Sequence, residues 1–268
     1  MLHKTRMLTV CAMAVITMAA AQVQAAYAIL NIGNSWATDL KARIVATGLI
    51  PAGQIDVIAV GSTPSLATLQ TYRAIVTTGN SSPTDPVSLG NVLADYVDQG
   101  GGVVTMIFGY APSYIAGRWT SSSYSAFPDL GYTNSPNGTH LGTVFNPSKY
   151  PANLIFAGVN TLIGTPPAAT GYYNRFTAVT PGAQAVATWS DGYYLAALKT
   201  FTGNATGYVI GLSLPSASTV ARSDWGWDAS TDGGRLVANS LLFTVIPEPS
   251  TLGLLGLAGL ALARRRRG

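Results

Sequence analysis

Few side chains in this sequence could carry out nucleophilic or acid–base chemistry. Its 268 residues include one cysteine and two histidines, and Glu248 is the only glutamate. Cys11 lies in an apolar segment near the amino terminus, and His140 is the only histidine beyond residue 3. Thiolate catalysis, a disulfide and a cysteine-ligated zinc all require cysteine, so residues 26–245 exclude all three.

Two arrangements of the remaining polar residues could still be catalytic or metal-binding. A Ser113–His140–Asp129 triad can be drawn, but no Gly-x-Ser-x-Gly elbow accompanies it. The segment SDWGWDASTDGG offers carboxylate oxygens that would suit calcium, from Asp224, Asp228 and Asp232. The alternative is a polar loop in which Asp232 or Thr231 caps the last helix. We predict no catalytic residue, no metal and no cofactor.

Small polar turns are the first candidates for ligand binding. They are Gly33-Asn34-Ser35, Gly61-Ser62 and Gly79-Asn80-Ser81, and each follows a predicted strand. Open α/β sheets bind ligands at the carboxyl edge of their strands. None of these turns forms a P-loop or a Gly-x-Gly-x-x-Gly motif, and tight strand-to-helix turns favour the same residues. Asn34, Ser35 and Asn80 are therefore candidates, with simple turns as the alternative.

The pair Arg118-Trp119 is the second candidate. A guanidinium beside aromatic faces suits recognition of a sugar or a carboxylate. The alternative is a cation–π contact that holds a long loop in place. Tyr110, Arg118 and Trp119 complete the predicted ligand residues, and Trp36, just past the first strand, could share their rim.

The elements that must position these residues alternate over the first half of the chain. β-Branched runs predict strands at 27–32, 54–60, 73–78 and 103–108. Helical spacing of apolar residues predicts helices at 38–48, 64–72 and 86–99. Continuous apolar strands between helices indicate a parallel sheet that is covered on both faces.

The second half has a different pattern. Residues 113–157 are rich in Ser, Tyr, Asn, Pro and Gly and predict a loop-rich insertion. A hairpin is predicted at 185–198, a further strand at 207–212 and a closing helix at 232–243. The predicted fold class is α/β, a sandwich with a mainly parallel central sheet and helices on both faces, followed by the insertion and the β-hairpin.

Several stretches of the body resemble the class I glutamine amidotransferase-like superfamily, and in particular its secreted ThuA-type branch. They are LGNVLADYVDQGGGVVTMIF, AGRW, FAGVNTL, VATWSDGYYLAALKTFTGNATGYVIGL and GGRLVANSLLF. The resemblance implies a flavodoxin-like fold. In amidotransferases the nucleophilic cysteine occupies the sharp turn after a central strand. The matching turn, Phe108-Gly109-Tyr110, has neither Cys nor Ser, which removes the route to an acyl-enzyme.

The amino terminus has the three parts of a secretory signal peptide. A basic start precedes the apolar run from Met7 to Ala21, and Val23-Gln24-Ala25 then offers small or short side chains at the positions that signal peptidase reads. We predict cleavage by signal peptidase between Ala25 and Ala26. The apolar run is shorter than the ~20 residues that span a bilayer, although an uncleaved anchor is the alternative.

The carboxyl terminus combines a Pro-Glu-Pro sequence, an apolar stretch from Thr251 to Ala263 and four arginines. The residues of this signal are Pro247, Glu248, Pro249, Arg264, Arg265, Arg266 and Arg267. The arginines would stay cytoplasmic by the positive-inside rule, so the segment could hold the protein in the inner membrane during export. This order of features resembles the PEP-CTERM sorting signal. The resemblance implies a Gram-negative bacterium with a polysaccharide matrix and an exosortase that removes the tail.

Charge distribution argues against nucleic acid as a partner. Two of the 15 Lys and Arg precede residue 7 and four end the chain, which leaves nine against 11 Asp and Glu between residues 26 and 263. A nucleic-acid binder needs a basic face, and this region carries about −2. The predicted organisation is a signal peptide at 1–25, an amidotransferase-like domain at 26–245 and a sorting signal at 246–268.

These observations predict an exported protein of the cell surface or extracellular matrix with a non-catalytic domain. Signal peptidase and exosortase are its expected processing partners, and it is held in the inner membrane before processing. A glycan, such as extracellular polysaccharide, or another small polar ligand is the expected binding partner. A secreted hydrolase that uses aspartates or a metal is the first alternative, and a purely structural matrix component is the second.

Overall fold

The computed structural model describes residues 26–32, 36–59, 61–79, 82–129, 143–145, 154–164, 176–189, 192–201 and 207–244. The strands are β1 (Tyr27–Ile32), β2 (Ile55–Ala59), β3 (Ala74–Gly79), β4 (Gly102–Thr105), β5 (Thr143–Phe145), β6 (Ala183–Trp189), β7 (Tyr194–Thr200) and β8 (Tyr208–Leu212). The helices are α1 (Trp36–Ala46), α2 (Leu66–Leu69), α3 (Pro86–Asp98), α4 (Arg118–Ser121) and α5 (Gly233–Phe243), and a 3-10 turn covers Ala52–Gln54.

Within this part of the chain the strands form one sheet in the order β2-β1-β3-β4-β8-β7-β6-β5. The pairs from β2 through β8 are parallel, and those from β8 to β5 are antiparallel. Right-handed crossovers place α1 on one face and α2 and α3 on the other, because the chain moves in opposite directions along the sheet. The predicted α/β architecture, with its parallel sheet and its hairpin, is confirmed.

Helix α3 shows how the sequence sets one of these elements. Asp85 caps it by accepting a hydrogen bond from the Ser88 backbone N–H at 2.9 Å, and Pro86 occupies the first turn. Its inner face buries four apolar side chains: Leu89, Leu93, Tyr96 and Val97. Each such burial removes apolar surface from water, which is the main force that fixes the helix against the sheet.

Most predicted boundaries shift by one or two residues, and the clearest differences concern three elements. Helix α1 begins at Trp36, two residues earlier than expected, and α2 is a single turn that Ser65 caps. Strand β4 ends at Thr105 instead of continuing to Phe108, because the chain turns sharply from residue 107 onward. Among the described residues, no helix is long and apolar enough to cross a membrane.

Candidate functional site

The turn after β4, residues 107–110, is called the elbow here. The Ile107 N–H donates to the Leu214 carbonyl at 3.2 Å, and the Gly109 N–H donates to the Met106 carbonyl at 3.0 Å. Phe108 between them has a φ of +77°, in a region that non-glycine residues rarely adopt. A strained residue at the end of a central strand is how a nucleophile is exposed in hydrolase-type elbows. The backbone shape is therefore present, with a phenyl ring in place of a reactive atom.

Glycine is required immediately after Phe108. A Cβ at Gly109 would come within 2.6 Å of Thr105 Cγ2 and 3.2 Å of Thr77 Oγ1. Thr77 and Thr105 are register partners on β3 and β4, so their side chains share one face of the sheet. Both hydroxyl oxygens are buried with no hydrogen-bond partner among the described residues. The elbow therefore packs closely against the side chains of Thr77 and Thr105.

The ring of Phe108 is surrounded by the aromatic side chains of Trp36, Tyr114 and Trp225. These four residues are called the aromatic cluster. The centroid of Phe108 lies 6.0 Å from Trp36, 5.9 Å from Tyr114 and 5.5 Å from Trp225. Trp36 and Trp225 meet edge to face at 4.6 Å. Phe108 is only 6 % exposed and Trp225 only 3 %. The space around the strained residue is thus filled by protein.

An ion pair covers the aromatic cluster. The Arg222 guanidinium lies 4.8 Å from the Trp225 ring centroid and 5.6 Å from that of Trp36. It also donates two hydrogen bonds to Asp224, at 2.9 and 2.6 Å, and these lower the pKa of the Asp224 carboxyl. A paired carboxylate with a lowered pKa is a poor general base, which argues against Asp224 in an acid–base role.

Tyr110 holds the far side of the elbow. Its hydroxyl lies 2.5 Å from the Thr105 carbonyl oxygen and 3.1 Å from that of Leu212, both of which are acceptors. Its ring packs edge to face on Phe127 and Phe176. Burial raises the pKa of Tyr110 well above its usual value. With 1 % of its surface exposed, Tyr110 offers a ligand no accessible group in this structure.

Arg118 and Trp119 join the loop beyond the elbow to α3. The guanidinium of Arg118 pairs with Asp95 and, at 2.6 Å, with Asp98, and it donates to the Tyr124 hydroxyl at 2.9 Å. The hydrogen bond with Asp98 raises the pKa of Arg118. Trp119 is fully buried and stacks on Tyr124 at 6.1 Å. This geometry matches the loop-holding alternative, and Trp119 has no face open to a ligand.

The three aspartates considered for calcium do not converge. Asp228 accepts hydrogen bonds from the Ser230 hydroxyl and backbone N–H, and Asp224 is paired with Arg222. Asp232 accepts from the backbone N–H groups of Asn160 and Thr161 at 2.7 and 2.9 Å. No cluster of three metal-ligating side chains occurs among the described residues.

The expected cap of the last helix is wrong in one respect. Asp232 does occupy the N-cap position of α5, but its side chain makes no capping hydrogen bond. Its carboxylate turns instead to the segment at 160–161, where it accepts hydrogen bonds from two backbone N–H groups. The Thr231 hydroxyl donates to the Asp228 carbonyl at 2.7 Å, so it does not cap the helix either.

Several sequence predictions lie outside the described residues. They concern Asn34, Ser35, Asn80, His140, Ala25 and the sorting-signal residues 247–249 and 264–267. Of the predicted ligand set, the structure therefore describes Tyr110, Arg118 and Trp119. Sequence reasoning missed the role of Phe108, Arg222 and Trp225, although the pair of tryptophans in SDWGWD was a visible signal that this loop packs inward.

Comparison with known families bears on the carboxyl terminus. The model of the PEP-CTERM protein-sorting motif matches residues 245–267. The chain carries a PEP-CTERM sorting signal. This signal indicates an exported protein that exosortase processes and that is anchored in the membrane by its carboxyl terminus before sorting. Comparison of the sequence with curated proteins gave no match.

Solved structures bear on the body of this PEP-CTERM protein. A ThuA-like protein from Bacteroides uniformis ATCC 8492 superposes with a TM-score of 0.50 and 13 % identity, over 86 % of this chain and 95 % of that one. The N-terminal domain of mmIFT52 superposes with a TM-score of 0.45 and 14 % identity, over 70 % of this chain and 86 % of that one. A glutamine amidotransferase from Thermotoga maritima superposes with a TM-score of 0.43 and 10 % identity, over 82 % of this chain and 96 % of that one. The ThuA-like structure, at this level of identity, shows a shared fold alone.

Proposed function

We propose that this PEP-CTERM protein is a cell-surface or extracellular-matrix component whose amidotransferase-like domain is non-catalytic. The proposal rests chiefly on Phe108. It occupies the strained position of the elbow, where catalysis would need a nucleophile, and it is almost completely buried. A phenyl ring cannot form an acyl-enzyme, and the aromatic cluster packs against it.

The surroundings of the elbow support the same conclusion. Catalysis of acyl transfer needs a base within hydrogen-bond reach of the nucleophile and donors aimed at the developing oxyanion. Ion pairing engages Asp224, the nearest acid in the sequence to Trp225. The ring of Phe108 contacts the aromatic rings of Trp36, Tyr114 and Trp225. The proposed role of the elbow is therefore packing.

A ligand-binding role at the carboxyl edge of the sheet belongs to the proposal. Asn34, Ser35 and Asn80 follow β1 and β3, which are neighbours in the sheet. Their position after adjacent parallel strands supports a shared polar rim for a glycan or another small polar ligand. Arg118 is a weaker candidate, because two carboxylates and a tyrosine hydroxyl already engage its guanidinium.

Turnover assays test the non-catalytic proposal. The full-length chain, purified in a mild detergent, is incubated with glutamine and with chromogenic ester, amide and glycoside probes. We expect no turnover above that of the buffer. Turnover that disappears in Asp224→Asn or His140→Ala would support the hydrolase alternative and contradict the proposal.

Binding assays test the ligand-holding proposal separately. The same preparation is tested for retention on the acidic and neutral polysaccharides that the producing cells secrete. We expect Asn34→Ala and Asn80→Ala to weaken retention, and Arg118→Ala to leave it unchanged. Retention that is absent in every case would favour a purely structural component.

A further inference from the structure

A polar cleft lies between the end of α1 and the start of α5, away from the elbow. It is called the α1–α5 cleft, and it encloses about 240 Å³. The side chains that the argument uses are Arg43, Trp227, Asp232 and Arg235, with Gly234 on the helix between them. This volume is below the range of about 300–1,000 Å³ that holds drug-sized ligands, so the cleft suits a compact group.

The packing of two helices brings two arginine residues to this cleft. A Cβ at Gly234 would lie 2.6 Å from the Arg43 carbonyl oxygen, so only glycine lets α5 approach α1 so closely. Arg43 stands in the last turn of α1, and Arg235 in the first turn of α5. Both side chains are half-buried against the cleft. The close helix contact therefore places two arginines at the border of one small cleft.

Within the described residues, the two arginines of the cleft form few ion pairs and hydrogen bonds. Among the described residues, Arg235 and Arg73 are the arginines without an acidic partner. Arg43 contacts Asp39 only through its Nε, at 3.3 Å, so its two Nη groups donate no hydrogen bond within the described structure. Guanidinium N–H groups that are half-buried and unpaired favour an anion with two or more oxygens.

The carboxylates nearby are directed elsewhere. Asp39 also accepts from the Ser218 N–H at 2.8 Å and from the Ser218 hydroxyl at 3.0 Å, and its side chain is 8 % exposed. Asp232 accepts from the N–H groups of Asn160 and Thr161. Backbone donors thus stabilise both negative charges, which leaves the arginines available to an incoming anion.

Other hydrogen-bond donors at the α1–α5 cleft also lack an acceptor within the described structure. Asp232 stands at the N-cap of this 11-residue helix without a capping hydrogen bond, so its side chain leaves the N–H groups of the first turn unsatisfied. The Nε1 of Trp227, a fully buried residue that lines the cleft, has no hydrogen-bond partner among the described residues. A buried donor without a partner destabilises the fold, so an oxygen atom that reached this N–H would be bound favourably.

We infer that the α1–α5 cleft is a binding site for a compact oxyanion, such as a sulfate, a phosphate or the carboxylate of a sugar acid. Arg43 and Arg235 bind its oxygens from two sides, and the first turn of α5 adds backbone donors. The site requires no chemistry at the elbow, so it does not depend on the proposed function.

The test uses the indole N–H signals of the five tryptophans. The ¹⁵N-labelled full-length chain in mild detergent is titrated with sodium sulfate against sodium chloride at equal ionic strength, and Trp227→Phe assigns the signal of Trp227. We expect sulfate to shift this signal in a saturable manner. Arg43→Gln and Arg235→Gln should each weaken the affinity about tenfold, as expected for a lost charge-assisted hydrogen bond.

Two controls make the test decisive. Arg73→Gln removes the other unpaired arginine, which lines a separate cleft, and should leave sulfate binding unchanged. Arg235→Gln carries the test if Arg43→Gln unfolds through loss of its contact with Asp39. Titration with glucuronate and with glucose distinguishes a sugar carboxylate from an inorganic anion. An unsaturable shift with both sulfate and glucuronate, or equal weakening by Arg73→Gln, would overturn the inference.

Discussion

The ring of Phe108 packs edge to face against Trp225 at 5.5 Å, while its own backbone has a φ of +77°. These two facts oppose each other energetically. Burial of the ring stabilises the fold, whereas the positive φ costs about 1–3 kcal/mol for a non-glycine residue. The protein keeps the strained turn and fills it with an aromatic side chain.

This opposition predicts an unusual pair of mutant stabilities. Phe108→Ala should lower the free energy of unfolding by about 3–5 kcal/mol, because the ring leaves a cavity. Phe108→Gly should be no more destabilising than Phe108→Ala, because glycine accepts a positive φ. Phe127, which is also buried and has no positive φ, is the control, and there glycine should be worse than alanine. Urea unfolding of the full-length chain in detergent measures the stability of the alanine and glycine variants at each position. If glycine were more destabilising than alanine at Phe108 as well as at Phe127, the account would be contradicted.

The contact below Gly109 predicts a steric effect with a rescue. Gly109→Ala should destabilise the protein by about 1–3 kcal/mol, because its Cβ would overlap Thr105 Cγ2. Thr105→Ser removes that methyl group and should restore part of the loss in the double variant. Gly53→Ala is the matched control, since no atom lies within 4 Å of a Cβ there. Absence of rescue, measured by urea unfolding, would show that the strain lies elsewhere.

The contact between Arg118 and Asp98 predicts a modest coupling. A double-mutant cycle with Arg118→Ala and Asp98→Ala should give about 0.5–1 kcal/mol, because the Arg118 side chain is 40 % exposed and solvent screens the pair. The coupling should fall as salt rises. Arg118→Lys keeps the charge but loses the geometry that pairs with two acceptors, so it should retain only part of the coupling energy. A coupling near zero at low salt would remove the loop-holding role.

The cap of α3 predicts a pH dependence. Hydrogen bonds from the hydroxyl and the N–H of Ser88 lower the pKa of Asp85. Its stabilising effect is therefore complete above the unfolded pKa of about 3.9 and is lost as the pH falls through the lower folded pKa. Asp85→Asn still caps but does not titrate, so it should lose less stability than the wild type below about pH 4. Asp85→Ala should be less stable than both at pH 7. Equal acid sensitivity of Asp85→Asn and the wild type, by urea midpoint, would contradict this.

The fold was more predictable from the sequence than the site. Parallel strands such as Ile55–Ala59 and helices such as Pro86–Asp98 follow from apolar periodicity and local caps, which neighbouring residues determine. The aromatic cluster joins Trp36 to Trp225 across 189 positions, and no local pattern encodes that contact. Arg118 was expected near aromatic rings, yet only the structure shows that Asp95 and Asp98 engage it.

The mass of the protein recovered from the surface or matrix of the producing cells tests the central claim most directly. The account predicts a chain that begins at Ala26 and has lost the apolar stretch from Thr251 together with the terminal arginines. Glu248→Ala should retain the tail and remain in the membrane fraction, whereas Asp232→Ala, outside the signal, should be trimmed normally. Recovery of all 268 residues in soluble form inside the cell, with both ends uncut, would contradict the account.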